Sequence, residues 1–206
     1  MRGNDLKGKT IKVFVIKDEQ YRDLKTVELS NWVGKCFIGQ RQHLKVLKNF
    51  EELDAPAVYY LLSDKSESSQ IQLYVGEADV ASNRIKQHSS KTWWDNFVIF
   101  VSKDANLTKS HVRYLERLSY EMSNKNPTTI NLKNSSTPPG SRLPDSDISD
   151  MDDFHENIIF ILDHLGIVDF SAASETSIID YENIFEIKLT TDRKDQNLWK
   201  QQTVGF

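Results

Sequence analysis

The chain has 206 residues, 38% hydrophobic and 27% charged, with a formal net charge of −4 and a single cysteine, Cys36. That length holds one large domain or one domain with extensions. No run approaches the ~18 apolar residues of a membrane span, and the N-terminus lacks the apolar stretch of a signal peptide. A lone cysteine excludes an internal disulfide and any zinc site of several cysteines, so a cytoplasmic location is expected.

The charge is unevenly spread. Residues 1–53 carry 11 Lys/Arg against 7 Asp/Glu, residues 54–126 carry 9 against 9, and residues 127–206 carry 6 against 14. The acidity belongs to the last third. It neither requires nor forbids a phosphate-facing surface earlier in the chain.

In chain order, Thr10 to Ile16 alternates polar and apolar and reads as a strand, and Lys35 to Ile38 reads as a second, short one. Gln42 to Leu53 places Leu44, Leu47, Phe50 and Leu53 at spacing read as helical. Pro56 then ends that segment. Two strands follow, Ala57 to Leu62 and Ile71 to Gly76, joined by a polar run. A helix is expected from Asp79, with Arg84 and His88 one turn apart on one face. Asn96 to Val101 is a continuous apolar run, which points to a strand covered on both faces.

Thr108 is placed to cap a helix running to about Asn124, with Val112, Leu115, Leu118 and Met122 as its inward stripe. Asn126 to Asp150 is rich in proline and serine and reads as a linker or mobile loop. Asp152 to Leu165 regains helical spacing and stops at Gly166. Tyr181 to Leu189 reads as one more strand, and Asp192 to Phe206 is polar and expected to fray.

The resulting expectation is an α/β (α+β) protein built on a small three-stranded antiparallel-type sheet flanked by helices. Residues 54–132 form that unit and residues 1–53 a β/α extension packed on it. Residues 133–150 are a flexible linker, and 151–206 form a helical, acidic C-terminal extension.

Several chemistry-bearing residues converge on the central unit. Phosphodiester hydrolysis needs a base to activate water, positive charge for the phosphoryl oxygens and help for the leaving oxygen, and a divalent metal often serves the last two needs. Tyr59 and Tyr74 lie on neighbouring strands, Arg84 and His88 on the helix that follows, and Glu116 beside the apolar stripe of the next helix. Each alone has a structural explanation: tyrosines at buried strand edges, a surface arginine, a histidine at a helix end, a glutamate paired with Lys109, Arg113 or Arg117. Together they form a candidate site.

Val58-Tyr59 and Tyr74-Val75-Gly76 resemble the two signature tripeptides of the GIY-YIG endonucleases, in that family's order and separation. Arg84, eight positions after Gly76, is similar to the family's helix arginine. His88 matches a position that carries histidine or tyrosine, and Tyr114 to Leu118 resembles the segment bearing the metal-binding glutamate. The resemblance covers about residues 56–132. The segment Glu28 to Trp32 resembles, more vaguely, the lead-in of a poorly characterised bacterial branch.

The resemblance implies a metal-dependent DNA endonuclease with a single Mg²⁺ (or Mn²⁺) held by Glu116. Tyr59 is then the general base or the group that orients the attacking water. Tyr74 bonds the scissile phosphate, Arg84 binds and neutralises it, and His88 relays a proton from Tyr59 or contacts phosphate. The alternative is a catalytically weak nucleic-acid-binding or protein-interaction module.

Two positions depart from the family pattern. Ala57 replaces the first glycine of the signature, and Glu77 follows Gly76 where some relatives carry a basic residue. A carboxylate there repels phosphate unless it points away or helps a metal. Trp93 and Trp94 offer base stacking or core packing, and Lys86, Lys91, Lys103 and Lys109 a backbone track or a solvated surface. Cys36 is expected to be a small core residue. The acidic run Asp145 to Asp153 reads as a solubilising linker or a mimic of DNA.

Overall fold

In the computed structural model of the chain, the described residues are 8–17, 19–64 and 70–170. The strands are β1 Ile11–Val15, β2 Lys25–Leu29, β3 Gly34–Gln40, β4 Ala57–Leu62, β5 Ile71–Ala78, β6 Asn96–Ser102 and β7 Ile130–Leu132. The helices are α1 Ala81–Lys86, α2 Lys109–Asn124 and α3 Asp145–His164. All the strands join one sheet in the order β1-β2-β3-β6-β4-β5-β7. Every pairing is antiparallel except β5 with β7, which is parallel.

The small three-stranded sheet flanked by helices is therefore corrected, among the described residues, to a seven-stranded mixed sheet with three α-helices. The trio β5-β4-β6 sits inside it, extended on one side by the N-terminal strands and on the other by β7. The reason is a property of β6. An apolar strand covered on both faces also has two edges to satisfy, and an unpaired buried backbone group costs a hydrogen bond's worth of free energy. β3 takes the second edge of β6 along its whole length, from Gly34 opposite Ser102 to Gln40 opposite Asn96.

The two faces of the sheet carry separate apolar layers. On one, Val58, Tyr60, Val75, Val98 and Phe100 meet Val112 and Leu115 of α2 and Phe154, Ile158 and Ile161 of α3. On the other, Tyr59, Leu61, Phe97 and Ile99 meet Leu44, Leu47, Leu53, Ala81, Ile85 and Trp94. Every residue of β4 is buried, as a strand between two layers must be. Cys36 lies fully buried in the first layer, and burial pushes its thiol pKa well up.

The expected helix over Gln42 to Leu53 is instead a chain of 3₁₀ turns at Arg41–Lys45, Leu47–Asn49 and Glu51–Asp54. Leu44, Leu47, Phe50 and Leu53 recur every third residue. That is the period of a 3₁₀ helix, whereas an α-helical face alternates steps of three and four.

Helix α2 begins as expected. Thr108 Oγ1 accepts from the His111 N–H at 3.3 Å while His111 Nδ1 accepts from the Thr108 N–H at 3.3 Å, a reciprocal cap. Its buried positions are Val112, Leu115, Ser119 and Ser123, with Leu118 and Met122 only half-buried. The departure is polar: the Tyr60 hydroxyl reaches across to Ser119 Oγ at 2.7 Å.

Helix α3 starts at Asp145, inside the segment that composition reads as a linker. Asp145 and Asp147 occupy its first turn, where the helix dipole favours negative charge. It stops as expected at Leu165 and Gly166, the glycine taking φ +63°. Asn134, just after β7, bonds the Val75 backbone through both ends of its amide, at 3.1 and 2.8 Å, and so stands in for a strand residue. No helix among the described residues is long and apolar enough to cross a membrane. The expected strand Tyr181 to Leu189 and the stretch Asp192 to Phe206 lie outside the described residues.

Candidate active site

The hairpin register positions the first two site residues. Tyr59 lies opposite Gly76 and Tyr74 opposite Leu61. Alternation along a strand then sends Tyr59, Tyr74 and the bare face of Gly76 to the side of the sheet that carries α1. The Tyr59 ring lies across Gly76 so closely that a Cβ there would meet ring carbon Cζ at 2.4 Å and the hydroxyl at 2.5 Å. This close approach, and not a turn, is what requires a glycine at position 76.

His88 arrives differently from the expectation. Helix α1 ends at Lys86, so Arg84 and His88 do not share a helix face. A tighter turn, with the His88 N–H bonded to the Ile85 carbonyl at 3.0 Å, carries His88 under the hairpin. There its Nε2 lies 2.8 Å from the Tyr59 hydroxyl. The rings of Tyr59, Tyr74 and His88 cluster with centroids 5.0 to 6.1 Å apart.

Arg41, a residue that local sequence pattern does not single out, holds the loop behind His88. Its guanidinium donates to the carbonyls of Ser89 and Lys91, and to that of Trp94 at 3.2 Å, and it stacks over the Trp94 ring at 4.9 Å. Trp94 is fully buried and donates its indole N–H to the His88 carbonyl at 3.0 Å, which resolves the tryptophan pair toward packing for this member. Arg41 and this loop are about fifty positions apart in sequence, so no local period links them.

Arg84 is exposed and donates to Gln87 Oε1 at 2.8 Å. Partial burial works to lower its pKa, but the neighbouring Tyr59, Tyr74 and Glu77 hold it above its ordinary value. Arg84 is also felt by His88 and by Glu116. It is thus the electrostatic neighbour of the four other candidate residues.

Glu116 stands on α2, half-buried, with the Glu77 backbone N–H acting to lower its pKa. Burial, and then the Glu77 carboxylate, push its pKa up to about 7. Glu77 points toward α2, pairing with Lys109 Nζ at 2.6 Å and lying 3.9 Å from Arg113 Nε. The carboxylate that departs from the family pattern is thus turned to basic partners on the helix. Lys109 also meets Asp79 at 3.0 Å, Lys103 pairs with Glu28 and Lys91 lies over the Tyr74 ring at 5.0 Å, so three of the four lysines that could track a backbone are already engaged.

Burial sorts the group into two levels. Tyr59 is 0% and His88 6% exposed. Tyr74 and Arg84 are open to solvent in part or in full, as is Glu116, whose helix α2 packs on the opposite face of the sheet from Tyr59. Burial raises the Tyr59 pKa far above the usual phenol range, with Tyr74 adding to it and Arg84 opposing. His88 is lowered to about 4, first by burial and then by Lys91 and Arg84, so its imidazole is neutral at neutral pH. Its Nδ1 is buried without a hydrogen-bond partner among the described residues.

Among the described residues no group of three or more His, Cys, Asp or Glu side chains could hold a metal ion. That donor set does not fit a zinc or calcium cage. A site with the single carboxylate Glu116 is compatible with Mg²⁺, which takes one or two carboxylates and completes its octahedron with water and substrate phosphate. Glu116, held part-protonated beside a second carboxylate, is the group whose ionisation a divalent cation favours. No protein-family model, curated protein or solved structure matches the chain.

Proposed function

We propose that the chain is a metal-dependent endonuclease that hydrolyses DNA phosphodiester bonds by GIY-YIG-type chemistry. The observation that carries this reading is the place of Arg84, an exposed guanidinium within electrostatic reach of two phenols, an imidazole and a carboxylate.

Each residue's part follows from its level. Arg84 offers a planar fork to two phosphate oxygens, a geometry lysine lacks. The half-exposed Tyr74 hydroxyl donates a further bond to the same phosphate. Tyr59 is a neutral phenol at working pH, so it orients water through its oxygen while its own proton faces His88 Nε2. That arrangement places the remaining imidazole proton on Nδ1.

If the Tyr59 oxygen takes a proton from water, its phenolic proton passes to His88. Protonating an imidazole whose pKa is about 4 costs on the order of 4 kcal/mol at neutral pH. His88 is therefore a momentary acceptor, and its burial behind Tyr59 leaves it no direct phosphate contact. Mg²⁺ (or Mn²⁺) held by Glu116 would supply positive charge to the phosphoryl and leaving oxygens.

A second reading, a catalytically weak nucleic-acid-binding module, is favoured by one observation: the Tyr59 hydroxyl is buried and already bonded to His88. An assay on supercoiled plasmid, flap, bubble and single-stranded DNA, with and without magnesium, separates the two. The endonuclease reading expects magnesium-dependent nicking that Arg84→Ala and Glu116→Ala each reduce about a thousandfold. Both variants should melt as the parent does. Binding without cleavage supports the module, and equal cleavage by parent and both variants removes the claim.

A further inference from the structure

We infer that the free edge of β1 is a pairing surface for a second copy of this chain, joined antiparallel about a two-fold axis through Val13. The inference does not depend on the proposed function. Among the described residues, β1 is the terminal strand of the sheet and pairs only with β2. The large hydrophobic side chains exposed among the described residues are Val13 (47%), Phe14 (67%), Val15 (53%) and Val33 (48%), three of them consecutive on this one strand.

The backbone parity of β1 is set by its ends. The Thr10 carbonyl accepts from Ser30 N–H, and Ile16 N–H donates to the Leu24 carbonyl. Even-numbered residues therefore bond inward to β2, and Ile11, Val13 and Val15 turn their N–H and C=O groups outward. Such a row is a template for another strand.

A two-fold through Val13 sets Val13 against Val13 of the second copy and Ile11 against Val15 of the second copy. All the outward backbone groups then find partners, whereas a register shifted along the strand leaves some unpaired. The side chains agree with that register. Ile11, Val13 and Val15 share a face, and Ile11 already packs on the core, so pairing doubles an apolar stripe that β1 leaves open. On the opposite face Lys12 meets Phe14 of the second copy. The like charges are kept apart, and each ammonium is brought to a ring. An unrelated strand could satisfy the hydrogen bonds, but the match of Ile11 to Val15 and Lys12 to Phe14 is intrinsic to this strand.

A five-residue edge alone buries less than the ~1,200 Å² of a standard stable interface, so the pairing is weak and depends on concentration. If the proposed function also holds, the dimer carries two candidate sites, as cutting both strands in one encounter requires.

Sedimentation equilibrium of the full chain should show reversible dimers in the ~100 µM range, and Val13→Lys, which sets like charges face to face at the axis, should reduce them at least tenfold. Cysteine pairs report the register. Lys12→Cys mixed with Phe14→Cys should form a disulfide-linked heterodimer, since directly opposite non-hydrogen-bonded positions lie ~4.5 Å apart at Cα. Either variant alone should not cross-link, and Cys36 is buried and stays out. A monomer mass at every concentration overturns the inference, as does equal cross-linking of the single variants. Protection of the Val13 and Val15 amides in a monomer also overturns it, because the edge is then covered by the chain itself.

Discussion

Tyr59 and Tyr60 are consecutive residues of one strand, both fully buried and both with phenol pKa values raised by burial. Their surroundings differ because the strand sends them to opposite faces. Tyr60 enters the layer under α2 and α3, where its hydroxyl bonds Ser119 among apolar neighbours. Tyr59 enters the layer under α1, where its hydroxyl bonds His88 and lies within the field of Arg84. The same side chain at the same depth is thus a core strut on one face and part of a reactive-looking cluster on the other. Composition and burial alone do not separate the two; what each neighbouring element brings does.

The sharpest way to break this comparison is to remove one oxygen from each. Tyr59→Phe and Tyr60→Phe should each cost about 1 kcal/mol in chemical denaturation, since each deletes one hydrogen bond and leaves a buried partner unpaired. Cleavage should fall by about 10²–10⁴-fold in Tyr59→Phe and stay near the parent rate in Tyr60→Phe. Equal effects on cleavage would erase the distinction between the faces.

A smaller effect comes from below Tyr59. Gly76→Ala drives a methyl into its ring, and forcing an aromatic side chain aside in a packed layer costs about 1–3 kcal/mol. Thermal unfolding should show that loss, and the ultraviolet absorbance of the displaced phenol should change with it. An unchanged melting temperature would mean that the ring can move freely.

The smallest effect is titrational. The folded pKa of Glu116 is raised to about 7 from an ordinary 4.5. Its protonated form is thus favoured by folding, and the stability associated with it is fully present below about pH 4.5 and lost as pH rises through about 7. Solvent screening at this half-buried site keeps the loss to the order of 1 kcal/mol. Glu116→Gln should flatten that part of the stability–pH profile, and magnesium should move the parent's transition to lower pH. His88 acts in the opposite sense: its neutral form is favoured above about pH 6.5, and that contribution is lost as pH falls toward 4. The glutamine variant isolates the carboxylate from it.

Much of the centre was readable in advance. The apolar run at 96–101, the capping threonine at 108 and the spacing from Tyr59 to Gly76 are local signals, and β4, β5, β6 and α2 appear where they place them. The N-terminal segment was harder. Lys25 to Leu29 mixes charged and apolar residues because a strand near the sheet's margin is partly solvated, and the threefold spacing over 44–53 imitates a helix while forming 3₁₀ turns. The start of α3 gives no apolar signal because its first turn is held by charge and by contact with α2, through His111 with Asp147 at 3.2 Å, and not by apolar periodicity.

For the candidate site, the amino-acid order by itself determined which residues share a strand face and how far apart they lie along the chain, because alternation and hairpin pairing are short-range geometry. Tertiary structure alone decided that Arg41 ties down the loop behind His88, that Glu77 turns to Lys109, and that Tyr59 lies beneath Tyr74 and Arg84. It also decided that three strands became seven. These outcomes rest on contacts between residues tens of positions apart, whose free energy comes from burial and pairing that no local window contains.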